Sequence, residues 1–239
     1  MVGDGESAAL ISRAGSVDWL CWPRFDSAAC LAALLGDETH GHWAIEPAAP
    51  DDTTVTRRYR PDTLILETNF AAPGGHVRVI DFMRMREDVA CLIRIVEGVA
   101  GECPMHLTLR PRFAYGTLLP WVEIGPHGVT AMAGPDRLTL YARIGLTPRD
   151  HGADAEFRVR AEQRLVFVLQ HSASSVAEPV PVDGEAALSR TETFWRGWIG
   201  RFDAAKTRWL RRLVGLRRTM ATSARNWSRF DAPALRISV

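Results

Sequence analysis

LILETNFAAPGGHVRVIDFM, residues Leu64–Met83, decides the fold class. Two β-rich runs, Leu64–Phe70 and Val77–Met83, flank Pro73-Gly74-Gly75, and a Pro-Gly break between two extended runs marks a hairpin turn. In the second run Val77, Val79 and Asp81 face one way, and Arg78, Ile80 and Phe82 the other, which is the period of two of a strand. The same texture continues outward through Cys91–Glu97 (CLIRIVE), Met105–Leu109 (MHLTL), Leu138–Ala142 (LTLYA) and Leu165–Gln170 (LVFVLQ). Turns sit between them at Gly125-Pro126-His127-Gly128 and Gly134-Pro135-Asp136. From about Ala8 to Gln170 the pattern therefore predicts an all-β sandwich or barrel. No regular strand–helix alternation occurs, which argues against a parallel doubly wound sheet.

Two short helices interrupt the strands. The first is expected over Ser27–Leu35, with Asp26 or Ser27 as N-cap and Gly36 as the stop. The second, a C-terminal linker helix, opens near Asp183 and runs to about Phe202. Leu188, Trp195, Trp198, Ile199 and Phe202 form its apolar stripe. Two tryptophans on one stripe need a large covering surface, because wet apolar area costs roughly 25 cal/mol per Å². After Phe202 the composition changes: Lys206–Val239 is rich in arginine, holds the single acid Asp231, and keeps no period beyond Trp209–Leu216. Such a tail reads either as a nucleic-acid or lipid contact or as an unstructured end. Scattered arginines and sparse stacking aromatics favour the second.

The totals fit an ordinary soluble chain. Of 239 residues 46% are hydrophobic and 24% charged, and the formal net charge of +1 gives no global pull toward nucleic acid or an anionic membrane. Lys206 is the only lysine, a skew that reads as codon bias rather than function. Cys21, Cys30, Cys91 and Cys103 form no CxxC pair and have no zinc-like spacing. With no secretory leader pattern at Met1 and no long apolar run, a reducing cytoplasm with free thiols is expected.

Gly15–Cys30 reads GSVDWLCWPRFDSAAC and continues LAALLGDETHGHWAIEP, preceded by Gly3-Asp4-Gly5 and the strand Ala8–Ser12. YRPDTLILETNF (Tyr59–Phe70), VRVIDFM, IRIVEGVAG (Ile93–Gly101), RFAYG (Arg112–Gly116), PWV (Pro120–Val122) and TETFWRGW (Thr191–Trp198) follow in order. In this order the pieces resemble the N-terminal domain of bacterial and archaeal family 15 glycoside hydrolases, a family of glucoamylases and α,α-trehalases. The resemblance spans about residues 2–203. It implies an antiparallel super-sandwich and a parent activity on trehalose or α-glucan. It also implies that the catalytic pair of glutamates belongs to an (α/α)6 barrel entered from the TETFWRGW helix. Two domains are expected on this basis: the sandwich at 1–203, and an aberrant basic tail at 204–239 in place of the barrel. The pattern stops abruptly after Phe202, as a frameshift with early termination would produce. Ala114 departs from the family, which often carries an aspartate before Tyr-Gly.

Glycoside hydrolysis needs a protonated carboxyl and a second carboxylate, roughly 6.5–9.5 Å apart in an inverting enzyme. No residue of this chain is assigned a catalytic role. Asp18, Asp26, Asp81 and Glu97 are isolated acids beside strands, positions that turn caps and surface groups usually occupy. The best local candidate is the WLCWPRFDS loop, where Trp22 would offer a flat face to a sugar ring and Arg24 and Asp26 would bond its hydroxyls. Against this, Trp19 and Phe25 would be core and Arg24 would pair with Asp26 to hold the turn. Trp195 and Trp198 are assigned to the interdomain contact. His40-x-His42 lacks further ligands, so neither a metal nor a cofactor is expected. The partners expected are an α-glucoside, only when a barrel is present, and a second copy of the chain through its exposed helix face; nucleic acid and membrane are not. The rival readings are a stand-alone carbohydrate-binding sandwich that uses coplanar Trp22 and Trp121, and an interaction protein with an Arg-rich tail.

Overall fold

The computed structural model describes residues 1–201. The basic tail expected at 204–239 lies outside the described residues. The chain divides into two compact units, Met1–Arg196 and Gly197–Val239, and every strand among the described residues belongs to the first. The strands are β1 (Val2–Gly3), β2 (Ala8–Ile11), β3 (Ser16–Cys21), β4 (Ala29–Leu31), β5 (His42–Pro47), β6 (Thr54–Tyr59), β7 (Leu66–Ala72) and β8 (Gly75–Met83). The long β9 (Ala90–Arg110) precedes β10 (Trp121–Gly125), β11 (Gly128–Ala133), β12 (Asp136–Ala142), β13 (Thr147–Arg149), β14 (Gly152–Arg160) and β15 (Arg164–Ala173). Helix α1 (Gly184–Gly200) is the last element among the described residues.

Every pairing is antiparallel, and β9 serves two layers. Its first part pairs with β8 and β15 in a layer ordered β6-β7-β8-β9-β15-β12-β11-β10. Its second part, from Glu102, pairs with β14 and β5 in a layer that continues through β3 and β2 to β1. Gly98 and Gly101 stand where β9 passes between the layers. A Cβ at Gly98 would meet the Arg160 carbonyl oxygen at 1.9 Å, and Gly101 has φ +64. Inward residues of both layers share one core, with Trp43, Ile45, Leu107 and Leu109 facing Phe70, Val79, Val96, Phe167 and Leu169. The fold is the all-β antiparallel sandwich that the strand pattern and the resemblance imply.

The alternation read in Val77–Met83 has a physical destination on both sides. Val77 and Val79 enter the sandwich core, whereas Ile80 and Phe82 join Ile93, Ile95 and Val168 on the outer face of the layer. Ala187 and Leu188 of α1 cover that outer cluster. Gly184 permits the approach, since a Cβ there would stand 2.4 Å from Val166 Cγ1. Asp183 caps α1, its Oδ1 accepting from the backbone N–H of Glu185 and Ala186 at 3.0 and 3.1 Å.

The helix expected over Ser27–Leu35 is not formed. Ala29–Leu31 is strand β4, paired to β3, and only Ala33–Leu35 turns as a short 3-10 segment. All of β4 is buried, and a short apolar run buried on both sides carries no period to separate strand from helix. CLIRIVE and MHLTL, read as separate strands, are parts of the continuous β9.

Candidate functional site

The WLCWPRFDS loop leaves β3 and is tied down by the Gly3-Asp4-Gly5 turn. Asp4 is 2% exposed; its Oδ1 accepts from the backbone of Glu6 and Ser7, and its Oδ2 from Arg86 Nη2 at 2.8 Å. Arg86 also donates to the Pro23 carbonyl and to Glu6, and the Phe25 N–H donates to the Glu6 carbonyl at 2.9 Å. A buried carboxylate and one guanidinium thus clamp both sides of the loop.

The clamp separates the three residues assigned to sugar contact. Trp22 is 3% exposed, and its ring faces His171 at 6.3 Å between centroids, with His171 Nε2 and Asp136 Oδ1 2.8 Å apart. This departs from the expectation of an indole open to a sugar: the inner face of β15 and the loop cover it. Arg24 and Asp26 remain at the surface, Arg24 Nε donating to Asp26 Oδ1 at 3.0 Å. The bond from Arg24 holds the Asp26 carboxyl below its usual range, and the same bond raises Arg24. Phe25 stands between them at 66% exposure, the opposite of the core position weighed for it. Trp19, also weighed as core, is half-buried beside Tyr115, with ring centroids 6.1 Å apart.

On α1 the buried residues are Gly184, Ala187, Leu188 and Thr191. Phe194 and Trp198 are exposed, and Trp195 meets Phe194 edge-on at 5.3 Å. Phe202, placed on the same stripe, lies outside the described residues. Trp121 is exposed at the start of β10, while Trp22 is inside, so the two do not form a shared platform.

The acids weighed for catalysis are dispersed. Asp81 is buried against Arg94, and Glu97 pairs with Arg78 and Arg164. Glu46, on β5, is a carboxyl the sequence did not single out. Burial pushes its pKa up, with Glu38 adding to the rise. Two surface cavities, one on β6–β8 and one on α1 lined by Ser189, Arg190, Thr193 and Phe194, have no carboxylate in their walls.

His40 completes a capping box with Asp37, and His42 lies with Nδ1 3.2 Å from the Glu38 carbonyl. Among the described residues no group of three or more His, Cys, Asp or Glu is placed to hold a metal ion. The four cysteines are buried and unpaired, and burial pushes the Cys91 thiol up to about 12. No helix among the described residues is long and apolar enough to cross a membrane.

Comparison with known proteins gives a consistent result. Residues 1–195 match the family described as "Trehalase-like, N-terminal". The chain is similar to a trehalase of Mycolicibacterium smegmatis, 32% identical over 231 residues, covering 83% of this chain and 33% of that protein. A trehalase of Mycobacterium tuberculosis is 31% identical over 231 residues, with the same two coverages. A trehalase of Thermoplasma volcanium is 23% identical over 202 residues, covering 82% of this chain and 32% of that protein. The chain spans about a third of the length of these relatives.

Proposed function

The chain belongs to the trehalase-like N-terminal domain family, and from that premise we propose that it is the non-catalytic sandwich portion of a glycoside hydrolase acting on trehalose or a related α-glucan. The observation that carries the non-catalytic reading is the state of its buried and ion-paired acids. Asp4, Asp81, Glu67, Glu97 and Glu102 are each held by one or more arginines, and neither described cavity presents a carboxylate. Hydrolysis needs two carboxyls facing one glycosidic oxygen across a water-sized gap. In this reading the two catalytic carboxyls belong to the part of the relatives that this chain does not span, as in family 15 glycoside hydrolases.

The sandwich then acts by docking. The Phe194, Trp195 and Trp198 side of α1 would meet the catalytic portion, and the exposed Arg24-Phe25-Asp26 tip would border its sugar-binding mouth. Trp22 would support that tip from within, its own face being covered. Buried, unpaired thiols fit a reducing cytoplasm. A free-standing sugar platform on Trp22 and Trp121 is disfavoured by the burial of Trp22.

Sedimentation and thermal melting of the full chain test the docking role. Phe194 and Trp198 expose large apolar side chains on this helix, and exposed apolar surface promotes association. The wild type should self-associate, and Trp195→Ser with Trp198→Ser should become monodisperse with little change in melting temperature. A monodisperse wild type whose double variant loses about 3–5 kcal/mol of stability would make these residues core and reject the docking role.

A further inference from the structure

A groove of about 420 Å³ lies on the outer face of β6, β7 and β8, away from the Arg24–Asp26 tip in sequence and built on different strands. Thr56, Asn69 and Arg78 occupy one row across it, and Thr54, Ala71 and His76 the next. Arg58, opposite Glu67 in the register, also lines it.

The hydrogen-bonding character of this groove is one-sided. Both oxygens of Glu67 are taken at 2.8 Å, by Arg58 Nε and Arg60 Nε. Both oxygens of Glu97 are taken as well, by Arg164 at 2.7 Å and Arg78 at 3.2 Å. Asn69 Oδ1 accepts from Arg78 Nε at 3.0 Å, which removes another acceptor and fixes the guanidinium. The Nη groups of Arg58, Nη2 of Arg78, the Thr54 and Thr56 hydroxyls and the His76 ring have no partner among the described residues. The arginines therefore offer donors whose neighbouring acceptors are already used. A neutral sugar hydroxyl seeks an acceptor as well as a donor, whereas an oxyanion only accepts. Guanidinium groups match the oxygens of phosphate with paired, charge-assisted bonds.

We propose that this groove binds a phosphate-type oxyanion, free or carried as the monoester of a sugar, through Arg58, Arg78, His76, Thr54 and Thr56. Its volume admits a sugar ring beside the anion, and the threonines and the Asn69 amide N–H₂ supply contacts to it.

The test is a titration of the full ¹⁵N-labelled chain at low ionic strength with inorganic phosphate, glucose 6-phosphate and trehalose in separate arms. Saturable shifts of the Arg58 and Arg78 Nε–H and of His76 are expected with both anions. Tighter binding of glucose 6-phosphate identifies a sugar-borne anion, and equal binding a free one. Arg58→Gln with Thr56→Val, both at exposed positions, should weaken phosphate binding about tenfold. Thr56→Val with His76→Gln touches no ion pair and should weaken it in the same direction if the first variant fails to fold. Absence of saturable shifts, equal shifts with trehalose, or unchanged affinity in the folded variants would overturn the proposal.

Discussion

Arg94 shows how one residue joins the two layers. It is fully buried and donates to Asp81 at 2.8 Å, to the Trp43 carbonyl at 2.9 Å and to the Gly15 carbonyl at 2.6 Å, with its guanidinium carbon 5.0 Å from the Trp43 ring centroid. Arg94→Met should cost about 3–5 kcal/mol in chemical denaturation, because it strands the Asp81 charge in the core. Adding Asp81→Leu should recover only part of that loss, since the Trp43 and Gly15 carbonyls still lack their donor. Glu67 carries a pH-dependent share. Burial acts to raise its pKa, but bonds from Arg60 and Arg58 outweigh that and leave it lowered. Its contribution is thus complete above the ordinary carboxylate value, about pH 4.3, and is lost as pH falls through the lowered one. Glu67→Gln should flatten the acid limb of the melting-temperature profile, and an unchanged limb would contradict the assignment. At this scale the sequence was only partly legible. It flagged Asp81 and Trp22 by type, but burial and partners decide their roles, and these come from residues as distant as Arg94 and His171.

Among the elements, hairpins were the most readable. Pro73-Gly74, Pro126-His127 and Gly134-Pro135 each stand between directly paired strand ends, because turn geometry is local chemistry. Strand β4 was not readable, since its conformation follows from pairing with β3 and not from its own period. The switch of β9 between layers was equally hidden, although Gly98 and Gly101 stand where it occurs. Gly98→Ala forces a Cβ against the Arg160 carbonyl and should lower the melting temperature by about 5–10 °C. Conversely, Ala114 has φ 49 beside Tyr115 at φ 61, in a left-handed turn that alanine disfavours. Ala114→Gly should therefore raise stability by about 0.5 kcal/mol, since relief of the left-handed strain exceeds the entropy cost of glycine. A loss on that substitution would show that the turn is held for another reason.

At the level of the whole molecule, the described chain is a sandwich with one outer sheet face half covered by α1 and half patterned with arginine–glutamate rows. Glu67 and Glu97 on that surface are engaged by arginines, which fits the docking and anion-binding roles proposed for it. The motif order identified the family, while the loop clamp at Asp4 and Arg86 emerged only from packing between residues far apart in sequence, and the donor-lined groove from the register of the consecutive strands β6, β7 and β8. The non-catalytic reading makes the sharpest demand. Purified full chain incubated with trehalose, and separately with maltose and soluble starch, is predicted to release no glucose above a protein-free blank over many hours. Sustained release that disappears on changing a single aspartate or glutamate within residues 1–201 would contradict it.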